Sequence, residues 1–103
     1  MLPTSNRLPS SQIKSVMRHG KRIANAHLQC VFLPNHASMA RFAFIVSTTV
    51  DKRATKRNRI KRVMRETVHG LLPRIGHYDV VLLARSIHEG AIVKSIHEFF
   101  GSL

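Results

Sequence analysis

Five acids, seven histidines, one cysteine and a dense run of lysines and arginines are the side chains in this sequence whose types could do chemistry. The acids, Asp51, Glu66, Asp79, Glu89 and Glu98, are scattered, with no close pair of the sort that holds two magnesium ions for phosphodiester cleavage. A metal-free route needs a paired general acid and base. The histidines, His19, His27, His36, His69, His77, His88 and His97, are dispersed, and neither His88-Glu89 nor His97-Glu98 extends to a zinc-type His-Glu-x-x-His. Their ordinary reading is as surface or loop groups that gain charge near phosphate. Cys30 lies in an apolar stretch and reads as a small core residue rather than a nucleophile. The chemistry left to this chain is the binding of anions.

That chemistry is concentrated between Lys52 and Arg65, where eight of the chain's seventeen basic residues fall within fourteen positions and no acid intervenes. A charge run on a helix is usually just a solvated face. Such a face mixes signs, whereas here like charges such as Lys61 and Arg65 stand four apart, each repulsion costing a few tenths of a kcal/mol, about 0.2–0.5. Phosphates would neutralise it, and the excess of arginine over lysine favours bidentate phosphate contacts. Read as a helix, the segment divides by face. Ile60, Val63, Met64, Thr67, Val68 and Leu71 recur at helical spacing and must dock on a core, while Asn58, Lys61, Arg62 and Arg65 point outward with Arg59 and Arg57 beside them.

The elements that must carry this helix follow from the rest of the pattern. With 103 residues, residues 1–103 make one domain with one modest core, which a hydrophobic fraction of 44% supports. A net charge of +12 points to RNA, DNA or an anionic surface, and no apolar run is long enough for a spanning helix. The N-terminus lacks the apolar core of a secretory signal and the lone cysteine allows no internal disulfide, so the expected setting is the reducing cytoplasm. Residues 1–10, with two prolines, predict an extended arm. Ser10 or Ser11 then caps a short helix with Ile13, Val16 and Met17 on one face, ended by Gly20. Arg22 to Leu33 reads as a strand, or as two (Arg22–Asn25 and His27–Leu33). Pro34-Asn35-His36 is a turn, and Arg41 to Ser47 is a strand that should pair with the preceding one as a hairpin. Asp51 is the expected N-cap of the basic helix, placed at about 52–70. After a Leu-Leu-Pro-Arg-Ile-Gly-His loop, the unbroken apolar run Val80–Ala84 in Tyr78 to Arg85 marks a central, partly parallel strand. Gly90 to Phe100 forms a last amphipathic helix.

Arg57-Asn58-Arg59-Ile60-Lys61-Arg62 with Arg65-Glu66, preceded by Val46-Ser47 and Lys52-Arg53-Ala54, resembles the signature of the protein subunit of bacterial ribonuclease P. Leu8, the Ile13-x-x-Val16-Met17-x-x-Gly20-x-Arg22 pattern, the Phe-rich strand and Tyr78-Asp79-Val80-Val81-Leu82-Leu83-Ala84-Arg85 occur in that family's order, so the resemblance covers essentially the whole chain. It implies an α/β (α+β) two-layer sandwich ordered α-β-β-(β)-α-β-α, with the basic helix crossing over between two parallel strands. That crossover is left-handed in the family, against the right-handed rule that holds for about 98% of such connections. The implied activity is endonucleolytic removal of the 5′ leader from precursor tRNA. Its catalytic centre and magnesium belong to an RNA subunit, and the protein itself has no catalytic residue and binds no metal. Lys52, Arg53, Lys56, Arg57, Asn58, Arg59, Lys61, Arg62 and Arg65 match the motif that contacts the RNA subunit. Ile13, Val16, Met17 and Phe32 fall where the family holds the leader, between the first helix and the sheet. The implied partners are that RNA and precursor tRNA, with no membrane and no small-molecule substrate.

Departures from the pattern concern the leader. Ile13 and Met17 replace two phenylalanines usual in relatives, removing flat stacking surfaces, and Phe32 is the remaining candidate for stacking unless it is simply core. Thr48 and Thr49 stand where lysines are common, and the last residues end short for the family. The motif's RNA site is therefore expected intact and the leader site altered. A ribosomal-type protein or RNA chaperone would use the same basic helix without promoting precursor cleavage. A DNA-binding helix-turn-helix fits poorly, since the basic helix lies between strands, and a membrane-surface helix would need the apolar face that the sheet claims.

Overall fold

The computed structural model describes residues 6–35 and 39–101. Residues 1–5 of the expected arm and His36 of the expected turn lie outside them. The chain runs α1 (Ser10–His19), β1 (Lys21–Ala24), β2 (Leu28–Pro34), β3 (Arg41–Ile45), α2 (Ala54–His69), α3 (Leu72–Ile75), β4 (Tyr78–Ala84) and α4 (Glu89–Gly101). One sheet results, in the order β1-β2-β4-β3, with β2 antiparallel to β1 and β4 and with β3 parallel to β4.

The strand read as unbroken and apolar is the one in the middle. Val80, Val81 and Leu82 are fully buried because β4 is hydrogen-bonded along both edges and covered on both faces. Its central position corrects the expected hairpin between the second strand and Arg41–Ser47, since β4 inserts between β2 and β3. The local hairpin joins β1 and β2 instead, so the long apolar segment splits in two. Asn25 makes the turn: its Oδ1 accepts the backbone N–H groups of His27 at 2.8 Å and Leu28 at 3.0 Å.

Strand alternation sorts the core into two clusters. Leu28, Cys30, Phe42, Val80 and Leu82 face α2 and α4, whereas Val31, Ala43 and Val81 face α1 through Val16 and Leu8. The α+β class and the parallel β3-α2-β4 unit stand as expected, and α1 adds a partial cover on the second face. Cys30 is fully buried in the larger cluster, and desolvation pushes its thiol up to about 12, as a core residue requires.

Two expectations about helix ends are corrected. Neither Ser10 nor Ser11 caps α1; Pro9 precedes the helix, and its carbonyl accepts the Gln12 N–H at 2.9 Å. Gly20 does end α1, but with φ −74° and ψ 159° it is extended rather than left-handed. Its glycine is required by space. A Cβ there would lie 2.6 Å from the Val16 carbonyl oxygen and 2.9 Å from that of Phe32, both backbone atoms. We expect Gly20→Ala to cost about 3 kcal/mol in stability, measured by denaturant unfolding, because neither carbonyl has a free end to move. Beyond the glycine, the Arg22 guanidinium donates to the Met17 carbonyl at 2.6 Å and satisfies one open acceptor at the helix end.

Candidate nucleic-acid interface

The basic helix is held by its apolar face. Ile60, Met64 and Val68 are buried within α2, and Leu71 continues the row beyond its end. Val63 and Thr67 border this face half-buried, with the Thr67 hydroxyl donating to the Val63 carbonyl at 2.8 Å. Burial of this stripe fixes the rotation of α2 and thereby turns its charged side to solvent.

The helix starts two residues later than expected. Asp51 does not occupy the cap position, which falls to Arg53. Instead Asp51 organises the approach: its Oδ1 accepts the Arg53 backbone N–H at 2.8 Å, and both carboxylate oxygens bind the Arg53 guanidinium. The Arg53 guanidinium, helped by the backbone N–H, holds the Asp51 carboxyl at about 2 against an ordinary 3.8. A folded-state value below the unfolded one means that this contribution to stability is complete above 3.8 and is lost as pH falls through about 2. Carboxyl NMR should therefore give an Asp51 titration midpoint near 2, and a midpoint near 3.8 would show the pair is not formed.

The nine motif residues come together on α2 and its entry, their eight cations in two groups. Arg53, Arg57 and Arg59 have partners within the chain. Arg57 Nη1 donates to the carbonyls of Asp51 at 3.0 Å and Lys52 at 2.8 Å, which ties the entry loop to the first turn. Arg59 pairs with Glu89 at the start of α4, Nε to Oε1, at 2.8 Å. Lys52, Lys56, Lys61, Arg62 and Arg65 make no ion pair among the described residues. Lys52, Lys56, Asn58 and Arg62 are exposed, while Lys61 and Arg65 are half-buried over the edge of β3.

The four cleft residues are not brought together. Ile13 and Met17 are half-buried on α1 and Val16 is buried beneath them. Phe32 lies on the opposite face of the sheet, edge-on to Tyr78 with ring centroids 5.9 Å apart. The cause is the two-residue period of β2: Val31 and Leu33 point toward α1, so Phe32 must point away. The open cleft beside α1, about 410 Å³, has a polar wall instead. There Asp79 receives both Arg41 Nε and Nη2, at 2.8 and 2.7 Å, together with Asn35 Nδ2 at 2.8 Å, and Arg41 also donates to Gln12 Oε1. In the sequence Asp79 stood out as one of the scattered acids and as part of the Tyr78–Arg85 stretch, with nothing to point to Arg41 as its partner. The Asp79 hydrogen bonds raise the Arg41 guanidinium above its already high value, so it is permanently charged.

Three of the five acids thus face arginines, Asp51 with Arg53, Asp79 with Arg41 and Glu89 with Arg59. Among the described residues, no group of three or more His, Cys, Asp or Glu side chains is placed to hold a metal ion. His88 serves α4, its Nδ1 accepting the Ala91 N–H at 3.0 Å, and His27 Nδ1 meets the Ser86 hydroxyl at 2.9 Å. No described helix is long and apolar enough to cross a membrane.

This α+β fold anchors one face of α2 in its core and turns outward from the other face cations that make no ion pair among the described residues. A family model described as Ribonuclease P matches residues 2–102, and the chain belongs to that family. A "Ribonuclease P protein component" from Xanthomonas oryzae pv. oryzae is 43% identical over 60 residues, 58% of this chain and 41% of the relative. The match therefore spans about two-fifths of that relative's length. The fold is shared with the ribonuclease P protein of Staphylococcus aureus, at TM-score 0.81 and 22% identity over 90% of each chain. That of Thermotoga maritima is similar at TM-score 0.82 and 20% identity, over 94% of this chain and 96% of the other.

Proposed function

We propose that this chain is the protein subunit of a cytoplasmic ribonuclease P, binding a catalytic RNA through α2 and the 5′ leader of precursor tRNA beside α1. The observation that carries the reading is the family's Arg-Asn-Arg motif presented on a helix whose outward cations, Lys61, Arg62 and Arg65, have no partner acid among the described residues. Docking that face on RNA displaces counterions from the phosphates and fixes the protein's position. The leader then lies along Ile13, Met17 and the polar wall of Asn35 and Arg41, which adds affinity for precursor over mature tRNA. With Phe32 turned away, hydrogen bonds and aliphatic packing take the place of base stacking at this cleft.

Bond-breaking and magnesium belong to the RNA in this reading. Three of the acids that could have held a metal are spent on arginines, and what the protein supplies is binding, position and charge. The test is precursor tRNA cleavage at low magnesium by a bacterial ribonuclease P RNA, with the protein, without it, and with the protein alone. We expect stimulation only when both are present. RNA binding without stimulation would instead support a general RNA chaperone, and cleavage by the protein alone would overturn the assignment of chemistry to RNA.

A further inference from the structure

Just before α1 the chain lies against the free edge of β3. Arg7 bridges Phe42 in parallel, and the Leu8 N–H donates to the Phe42 carbonyl at 2.8 Å. Asn6 and Leu8 are buried, Asn6 Nδ2 donating to the Ala40 carbonyl at 2.8 Å, so the residue between them is turned out and its backbone is pinned on both sides. Arg7 thereby reaches an open hollow of about 360 Å³ whose rim also carries Lys61 and Arg65 from α2 and whose wall includes Phe42 and Phe44. These two rings are nearly parallel, 11° apart with centroids 6.2 Å apart, and Phe44 is the half-buried one.

Three cations from two separate parts of the chain converge here, and none of them has an ion pair among the described residues. Such convergence is repulsive until an anion arrives. The volume falls in the range of small-ligand clefts, about 300–1,000 Å³. An aromatic wall beneath a cationic rim matches one ligand class in particular, a phosphate that carries a flat ring. A duplex keeps its bases stacked and paired, so only an unstacked nucleotide could offer both groups at once. We propose that this hollow seats one nucleotide of single-stranded RNA, its phosphate held by Arg7, Lys61 and Arg65 and its base against Phe44. The seat rests on the reading of α2 as an RNA-binding face and extends that face, through Arg7, onto the arm.

Fluorescence anisotropy with hexauridylate, an abasic hexamer and a G·C-paired RNA duplex of twelve base pairs, over a salt series, tests it. Arg7→Ala should weaken hexauridylate binding roughly tenfold and flatten its salt slope by about 0.7, one phosphate contact's share on a single strand. Phe44→Leu should weaken hexauridylate roughly tenfold with no change in slope and leave the abasic and duplex probes unaffected, while Phe44→Tyr, which keeps the ring, should bind as the parent does. Thermal melts of each variant separate these effects from misfolding. The seat is overturned if Arg7→Ala changes neither affinity nor slope, or if the abasic hexamer binds the parent protein as tightly as hexauridylate. Arg62→Ala, outside the hollow, distinguishes the two readings. If it alone weakens binding, the seat fails and the α2 face stands; if it too has no effect, both fail.

Discussion

Replacing Lys61, Arg62 and Arg65 together by alanine is expected to lower affinity for the proposed RNA subunit roughly a hundredfold, at about 1 kcal/mol for each solvent-exposed cation–phosphate contact removed. It also flattens the dependence of log K on log salt by roughly two to three, while the fold is retained. The five motif cations without an ion pair among the described residues, Lys52, Lys56, Lys61, Arg62 and Arg65, set the parent slope at roughly −3.5 to −4.5 if each neutralises one phosphate. These side chains stand on the solvent side of a helix whose hold on the core is Ile60, Met64 and Val68, so their loss leaves the docking surface intact. Removing like charges four apart should even raise helix stability slightly. Filter binding over a series from low to high salt, with circular dichroism melts alongside, reads both quantities. A parent slope near zero, or a triple variant with an unchanged slope, would refute phosphate binding by α2.

Asp79→Ala is expected to cost about 3 kcal/mol and to lower the melting temperature by roughly 12–24 °C. The carboxylate side chain is only 8% exposed and sits where β3, β4 and the end of β2 meet, receiving Arg41 twice and Asn35 once. Its removal strands a guanidinium that remains charged at any accessible pH. The penalty falls at the lower limit for breaking a buried pair, because the Arg41 side chain is 22% exposed and water can reach part of it. The same variant frees Arg41 and loosens its bond to Gln12 of α1, so the α1 cleft should widen and leader affinity should fall more than RNA-subunit affinity. Equal losses for precursor and mature tRNA would separate this network from the leader.

The parts of the fold that were legible in the sequence are those set by short-range periodicity. The apolar stripe of α2 and the continuous apolar run of β4 each follow from how side chains project from one element. The strand partners did not follow. A hairpin between β2 and β3 satisfies the same local pattern, and only burial of β4 on both edges, a property of the whole sheet, places it between them. Phe32 lies on the sheet face away from α1 because Val31 and Leu33 occupy the other, and which of the two faces of β2 meets α1 is set by the packing of the whole sheet.

Charge divides in the same way. The sequence by itself determined that this chain is strongly basic, with its cations concentrated on one face of a helix, since composition and helical spacing require no knowledge of distant partners. It also carried the family motif, residue by residue. Only the tertiary structure decided which cations remain available: Arg53, Arg57 and Arg59 are drawn to Asp51, the entry loop and Glu89, while Arg7, thirty-five positions from Phe42, is brought beside Lys61 and Arg65. The reason is physical. An ionic contact depends on distance in space, and distance in space between remote residues is fixed by how the sheet and helices pack.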